Sequence, residues 1–241
     1  MKLLMITRAD KSVIEEYGKF TLPIHRMYAD KWNADFKRYD DLLIKYSRWI
    51  MILRELLESQ YDRILHIDAD IIINKNCPNI FDVVPSDTIG LVFEDKGSRL
   101  RNRRKRIERV KQIHGGNKHW TEGYWNGGIL VISSMHREIF NAINGKLWDD
   151  EQIGKGQAHI SYQIMKQGHK YIDLGYKWNH MSIFSEPWNG SPSRFDSYII
   201  HYAGNGKFAD REKMKGKSKG ERRIQLIIND IKKIYGIQKG E

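Results

Sequence analysis

The stretch RILHIDADIII, residues 63–73, sets two aspartates into an otherwise apolar run. Its first five residues read as a buried strand. An ordinary turn after such a strand carries Gly, Pro or Asn; here the chain places Asp68, Ala69 and Asp70. Burying an unpaired carboxylate is expensive, so the pair needs a partner. Successive strand side chains alternate faces, which points Asp68 and Asp70 the same way and Ala69 the opposite way. Two converging carboxylates at a strand end suit a hard divalent cation, Mg2+ or Mn2+, which leaves its other positions to phosphate oxygens and water. The competing reading is a capped turn, with the aspartates paired to surface lysines.

Working outward, IKYSRWIMILRELLES (44–59) is the clearest helix, with Tyr46, Trp49, Ile50, Leu53, Leu56 and Leu57 on one face. Upstream, KLLMIT (2–7) reads as a buried strand, TLPIHRMYADKW (21–32) as a helix with Pro23 in its first turn, and ADFKRY (34–39) as a short strand. Downstream, strands are expected at 88–93, 127–133, 170–174 and 198–204. Helices are expected over 135–144, over 158–167 before Gly168, and over 221–237, where Ile224, Ile227, Ile228, Ile231 and Ile234 share one side. Helices alternating with apolar strands predict an α/β sheet covered on both faces. Such sheets bind ligands beyond the carboxyl ends of their strands. The expectation is one domain over residues 1–241.

The 241 residues are 40% hydrophobic and carry a net charge of +11. A sizeable core follows and wholesale disorder is excluded, while the charge favours anionic partners such as nucleotides, nucleic acid, phosphorylated lipids or an acidic surface. The single cysteine, Cys77, permits no internal disulfide and fits a reducing compartment. MKLLMIT is too short for a signal peptide, and no apolar run approaches the roughly 20 residues of a membrane helix. The expectation is a soluble, cytoplasmic chain. Peripheral membrane contact through the basic tail helix is the remaining route to a bilayer.

KGSRLRNRRKRIERVK (96–111) holds nine Lys or Arg and one Glu. It reads as a solvated helix or a flap over a site, or as a surface for nucleic acid or an anionic acceptor. It has no aromatic residue for base stacking. Trp120, Trp125, Trp178 and Trp188 fall in expected loops or motif edges. Each alone reads as packing; as a group they favour a carbohydrate acceptor.

Four segments carry a family resemblance. YDRILHIDADIIINKNCPNIFD (61–82), YWNGGILVIS (124–133), YKWNHM (176–181) and IIHYAGNGK (199–207) resemble, in order, the metal-binding region, the Asn-(Ser/Gly)-Gly strand, the Trp-Asn segment and the His-x-x-Gly-x-x-Lys signature of GT-A glycosyltransferases. The likeness is to the retaining, family 8-like group of glycogenin and the lipopolysaccharide galactosyltransferases, and to glycosyltransferase domains encoded by chloroviruses. It implies a GT-A-like α/β fold with a mixed, mostly parallel sheet. It also implies a cation, Mn2+ or Mg2+, bridging Asp68, Asp70, His201 and a donor diphosphate. Mn2+ accepts imidazole as well as carboxylate, which agrees with that set.

The same resemblance distributes further roles. The small residues of GNGK let backbone N–H groups approach phosphate, so Gly204 and Lys207 fall at the diphosphate, with Lys207 stabilising the leaving group. Phe208 stands where the family has Pro-Trp. Lys45 or Arg48 faces the donor phosphates or sugar. Thr7, Arg8 and Asp10, with the Asp68–Ala69–Asp70 triplet, fall near the nucleotide, and Asn126 and Gly127 line the sugar pocket. Gln157 takes the glutamine's place in the family's Asp-Gln pair. The aspartate is missing, which leaves Asp149, Asp150 and Glu151 upstream, Asp150 among them as candidate catalytic carboxylate. The activity implied is metal-dependent transfer of a hexosyl or deoxyhexosyl group from a UDP-sugar to a carbohydrate or glycoconjugate hydroxyl, with retention, either by attack on the leaving-group face or through a transient glycosyl-enzyme; an inverting reaction would take its base from the 149–151 cluster. The alternatives are a nucleic-acid-binding module built on 96–111 and a metal-dependent phosphoesterase or nucleotidyltransferase.

Overall fold

The structure is a computed structural model that describes residues 1–40, 46–115, 119–143, 145, 155–206, 208–209 and 218–236. In chain order it contains β1 (Leu3–Arg8), α1 (Lys11–Val13), a π-helical turn (Ile14–Gly18), α2 (Lys19–Lys31), β2 (Ala34–Tyr39), α3 (Tyr46–Ser59), β3 (Arg63–Ile67) and β4 (Ile71–Ile73). There follow α4 (Ile80–Val83), β5 (Ile89–Phe93), α5 (Leu100–His114), β6 (Trp125–Ser133), α6 (Lys155–Gln167), β7 (Tyr171–Asp173), β8 (Ile199–His201), α7 (Ala203–Gly206) and α8 (Lys219–Tyr235).

Six strands form one sheet in the order β2-β1-β3-β6-β5-β7. All run the same way except β6, which is antiparallel to both its neighbours. The sheet is therefore mixed and mostly parallel, as expected. Side-chain alternation along β1 and β3 feeds two cores. Leu4, Ile6 and Ile64 pack with Trp49, Ile50, Leu53 and Leu57 of α3 on one face. Met5, Leu65 and Ile67 pack on the other face, in a cluster that includes Ile24 and Tyr28 of α2 and Leu226, Ile227 and Ile231 of α8. The basic helix α5 buries Ile107 and Val110 in a third cluster with Trp120, Tyr124 and Tyr162.

β4 and β8 make a separate two-stranded antiparallel ladder. Its register pairs Ile71 with His201, Ile72 with Ile200 and Ile73 with Ile199. That register seats His201 beside the residue that follows Asp70.

Several boundaries differ from the sequence reading. Helical structure begins before Thr21, because Asp10 caps α1: its Oδ1 accepts from the Val13 N–H at 2.8 Å. The helix expected over 135–144 is instead a 3-10 helix, Ser134–Phe140, and Asn141 leaves it in extended conformation. The His136 ring ties back to the Ser133 N–H at 3.1 Å and closes that short turn. The strand expected over 198–204 stops at His201, and Gly204 turns the chain at φ 61°, a region glycine enters without steric cost. Trp120, Trp125 and Trp178 are buried; among the four tryptophans considered for an acceptor surface only Trp188 is exposed. The tail helix packs on the domain through Leu226 and Ile227. Among the described residues no helix is long and apolar enough to cross a membrane.

Candidate active site

Strand β3 ends at Ile67, and the chain then turns through Asp68–Asp70 into β4. The turn is held by backbone: the Asp68 N–H donates to Gly128 O on β6 at 3.0 Å, and the Tyr202 N–H donates to Asp70 O at 3.1 Å. Ala69 points into the core, as alternation predicts, and its carbonyl accepts from Thr21 Oγ1 at 2.6 Å. Asp68, Asp70 and His201 thus meet at one point although the histidine lies far along the chain. One ligating atom from each falls within 4.8 Å of the others. His201 Nε2 is 3.2 Å from Asp70 Oδ1 and 3.6 Å from Asp68 Oδ2.

Those separations fit a shared cation. Ligands held at roughly 2.1 Å in octahedral geometry stand about 3 Å apart when adjacent. Two carboxylates and one imidazole are a donor set that Mn2+ accepts well and Mg2+ tolerates.

The charges are strongly coupled. Burial pushes Asp70 up, but His201 and then Arg223 outweigh it and hold this carboxyl well below the usual range. Asp68 is pushed up, by burial first and by the neighbouring Asp70 charge, against the pull of His201. Its side chain is 42% exposed, so solvent moderates that rise. Burial lowers His201, yet the two carboxylates more than compensate and raise it. A divalent cation inverts this balance: it favours both ionised carboxylates and the neutral imidazole.

The triad opens into a cleft of about 390 Å³ that is also lined by Glu94, Arg99, Arg103, Asn126, Gly127, Gln157 and Gly204. Asn126, Gly127, Gln157 and Gly204, named from the sequence, therefore do converge with the triad. A Cβ on Gly127 would meet Gln157 Nε2 at 3.2 Å, so the glycine lets the two elements close on each other. Thr7, Arg8 and Asp10 lie at the end of β1 and do not line this cleft. Thr7 is buried with its hydroxyl unpartnered, whereas the Asp10 carboxylate is engaged in capping α1. Lys45, Asp149, Asp150, Glu151 and Lys207 lie outside the described residues; Arg48 sits in α3, and its side chain is likewise outside them.

Three features of the site were not named from the sequence. Glu94, at the end of β5, is buried and accepts from Arg99 and Arg103, which pins the start of α5 to the cleft floor. Asn179, from the Trp-Asn segment, is fully buried and hydrogen-bonded to His201 Nδ1 at 2.8 Å. Arg223, from α8, donates to Asp70 Oδ2 and lies over the Tyr17 ring at 4.4 Å. The Arg223 pairing leaves the other oxygen of Asp70 facing His201.

A sequence model of glycosyl transferase family 8 matches residues 10–208. No curated protein sequence matches the chain. Solved structures do. A glycosyltransferase involved in glycosylation of the major capsid of PBCV-1 superposes with TM-score 0.58 at 14% identity, over 94% of this chain and 100% of the other. The galactosyltransferase LgtC, in complex with donor and acceptor sugar analogues, gives 0.52 at 16% identity over 94% and 95% of the two chains. Mouse xyloside xylosyltransferase 1 gives 0.51 at 10% identity over 86% and 99%. At these identities the likeness speaks for the fold, which is that of the GT-A glycosyltransferases. The family match spans most of the sequence and includes both aspartates and the histidine: the chain is a glycosyltransferase and belongs to glycosyl transferase family 8.

Proposed function

We propose that this glycosyltransferase moves a sugar from a UDP-sugar to a hydroxyl of a carbohydrate or glycoconjugate, with a divalent cation and with retention of anomeric configuration. The observation that carries the reading is the convergence of Asp68, Asp70 and His201 at one edge of a polar cleft. Those three side chains would hold Mn2+ or Mg2+. When bound, the cation supplies charge neutralisation and orientation of the donor diphosphate. Arg99 lines the cleft next to Gly204, close enough that a Cβ there would stand 3.9 Å from its Nη2. With Lys207 of the same signature it would add positive charge where the leaving group departs. Asn126, Gly127 and Gln157 form the sugar-facing wall.

Retention is what the family resemblance implies. Among the described residues, the carboxylates lining the cleft are Asp68, Asp70 and Glu94. The first two belong to the cation group, and Glu94 is engaged by Arg99, Arg103 and Asn126. Engaged in this way, none of these three serves as the general base that inversion requires; the candidate carboxylates Asp149, Asp150 and Glu151 lie outside the described residues. In a retaining reaction the acceptor hydroxyl attacks on the leaving-group face and gives its proton to a diphosphate oxygen, or a carboxylate first forms a transient glycosyl-enzyme. The basic helix speaks against nucleic acid as the ligand: Arg99 and Arg103 turn inward to Glu94, and Arg104 pairs with Glu122 at 2.9 Å. The same proposal sets this activity in a cytoplasmic, virus-encoded glycan-building role, a setting that the single cysteine fits.

The test is turnover of a UDP-hexose panel with Mn2+ and simple sugar acceptors, followed by proton NMR of the first product formed. A product with the donor's anomeric configuration supports the reading. An inverted product overturns retention, and phosphate release without an acceptor-linked sugar overturns transfer.

A further inference from the structure

The Trp-Asn segment has no role in the mechanism above, yet its asparagine is bonded to the far nitrogen of His201. Four buried side chains form a chain of hydrogen bonds from the cleft floor to that histidine. Gly128 N–H, which can only donate, meets Asn126 at 2.9 Å, so the atom it meets is Oδ1. The Glu94 carboxylate, whose two oxygens accept from Arg99 and Arg103, acts here as acceptor, so the Asn126 atom on it at 2.9 Å is Nδ2. Both ends of the Asn126 amide are thereby assigned independently.

The rest follows by polarity. Asn126 Oδ1 accepts from Asn179 Nδ2 at 2.8 Å. The remaining Asn179 atom is its carbonyl oxygen, 2.8 Å from His201 Nδ1. A carbonyl oxygen only accepts, so Nδ1 carries a proton. In the neutral imidazole that a cation requires, that is the one proton, and Nε2, the nitrogen facing the two aspartates, keeps its lone pair for the cation.

We propose that the Glu94–Asn126–Asn179 relay positions His201 as a cation ligand, by fixing the Nδ1–H tautomer and the ring plane so that Nε2 is offered to the metal. Asn179 and Asn126 are positioning residues that act through His201. The inference rests on the reading of Asp68, Asp70 and His201 as the cation site. It also gives the basic segment a structural part, since Arg99 and Arg103 hold the Glu94 carboxylate in place. Outer partners of this kind typically control metal affinity by about 10–100-fold.

The test is titration with Mn2+ alone, followed by the electron paramagnetic resonance signal of free Mn2+, without nucleotide or turnover. Asn179→Leu keeps the shape and removes both polar ends; its Kd is expected to rise about 10–100-fold. Asn179→Asp loses the donor to Asn126 but offers Nδ1–H a charged acceptor, a stronger hydrogen bond that offsets that loss; its Kd is expected to stay near wild type or fall. A folded Asn179→Leu with wild-type affinity overturns the proposal. So does an Asn179→Asp as weak as Asn179→Leu, because packing rather than the hydrogen bond would then matter. Wild-type protein that binds no Mn2+ overturns the cation site itself, a separate outcome. Should the leucine variant fail to fold, the ring nitrogens of 15N-histidine-labelled wild type loaded with Mg2+ decide. A slowly exchanging proton on His201 Nδ1 is expected, and a proton on Nε2 overturns the relay.

Discussion

Gly128 offers a direct mechanical test of the site. It sits in the middle of β6, and a Cβ built on it would lie 2.4 Å from His201 Cε1 and 2.5 Å from His201 Nδ1. Carbon atoms in contact prefer about 3.5–4.0 Å, so Gly128→Ala must push the ring or the strand by about 1 Å or more. Metal–ligand distances tolerate about 0.2 Å. The imidazole is therefore displaced as a ligand and torn from Asn179 at the same time. Mn2+ affinity is expected to fall at least about 100-fold, the upper end for loss of outer partners. Overpacking alone costs about 1–3 kcal/mol of stability. Gly90→Ala separates the two effects. Its Cβ would meet Val84 Cγ2 at 2.5 Å and Val131 Cβ at 3.3 Å, a comparable clash in the same sheet among apolar side chains. Thermal melts should show similar destabilisation of both variants, while Mn2+ titration should show a loss only in Gly128→Ala. Wild-type affinity in a folded Gly128→Ala, or an equal loss in Gly90→Ala, would refute the reasoning.

Other perturbations follow from the same geometry. Arg223→Met removes the guanidinium from Asp70; relief of like-charge repulsion worth about 1–2 kcal/mol should tighten Mn2+ binding about tenfold in the same titration, and weaker binding would show that Arg223 instead holds Asp70 in place. Asp230→Ala strips the buried partner of Arg194, held at 2.6 and 2.8 Å, and of the Tyr202 hydroxyl; breaking a buried pair costs about 3–5 kcal/mol, to be read from urea unfolding. Acid stability is set in part by His25, His159 and His180, each lowered by burial from 6.5 to about 4. The unfolded chain protonates them first, so stability is lost as pH falls from 6.5 towards 4. Between pH 7 and pH 5 each contributes about 2 kcal/mol, about 5–6 together, and an unfolding free energy that does not decline across that interval would contradict the assignment.

The parts of this site that were legible in the sequence are those whose chemistry is local. An apolar strand ending in Asp68 and Asp70 is anomalous by itself, and the burial cost explains why. His201 came through the resemblance of IIHYAGNGK to the family's His-x-x-Gly-x-x-Lys signature, since a lone histidine after an apolar strand reads as a core residue. The alternation of β1, α3 and β3 was enough to place helices on both faces of a sheet. What was missed depends on contacts between distant segments. Glu94 reads as one more acid before a basic run, and nothing local says that Arg99 and Arg103 turn inward to it. Arg223 reads as one cation on an amphipathic tail, and only the packing of α8 against the Tyr17 turn brings it to Asp70. The tryptophans show the limit of composition: Trp120, Trp125 and Trp178 pack in the interior, where their large apolar surface is worth more than a sugar contact. The segment after Ser133 has helical spacing, but its capping contact with His136 closes a 3-10 turn that ends at Phe140.

Metal-gated nucleotide binding tests the central claim most directly. Calorimetry of UDP, GDP and CMP against wild type and Asp70→Ala, with Mn2+ and then with EDTA, measures it in one series. UDP should bind wild type with Mn2+, lose that binding in EDTA, and fail to bind Asp70→Ala under either condition. UDP binding that survives both EDTA and the loss of Asp70 would contradict the account.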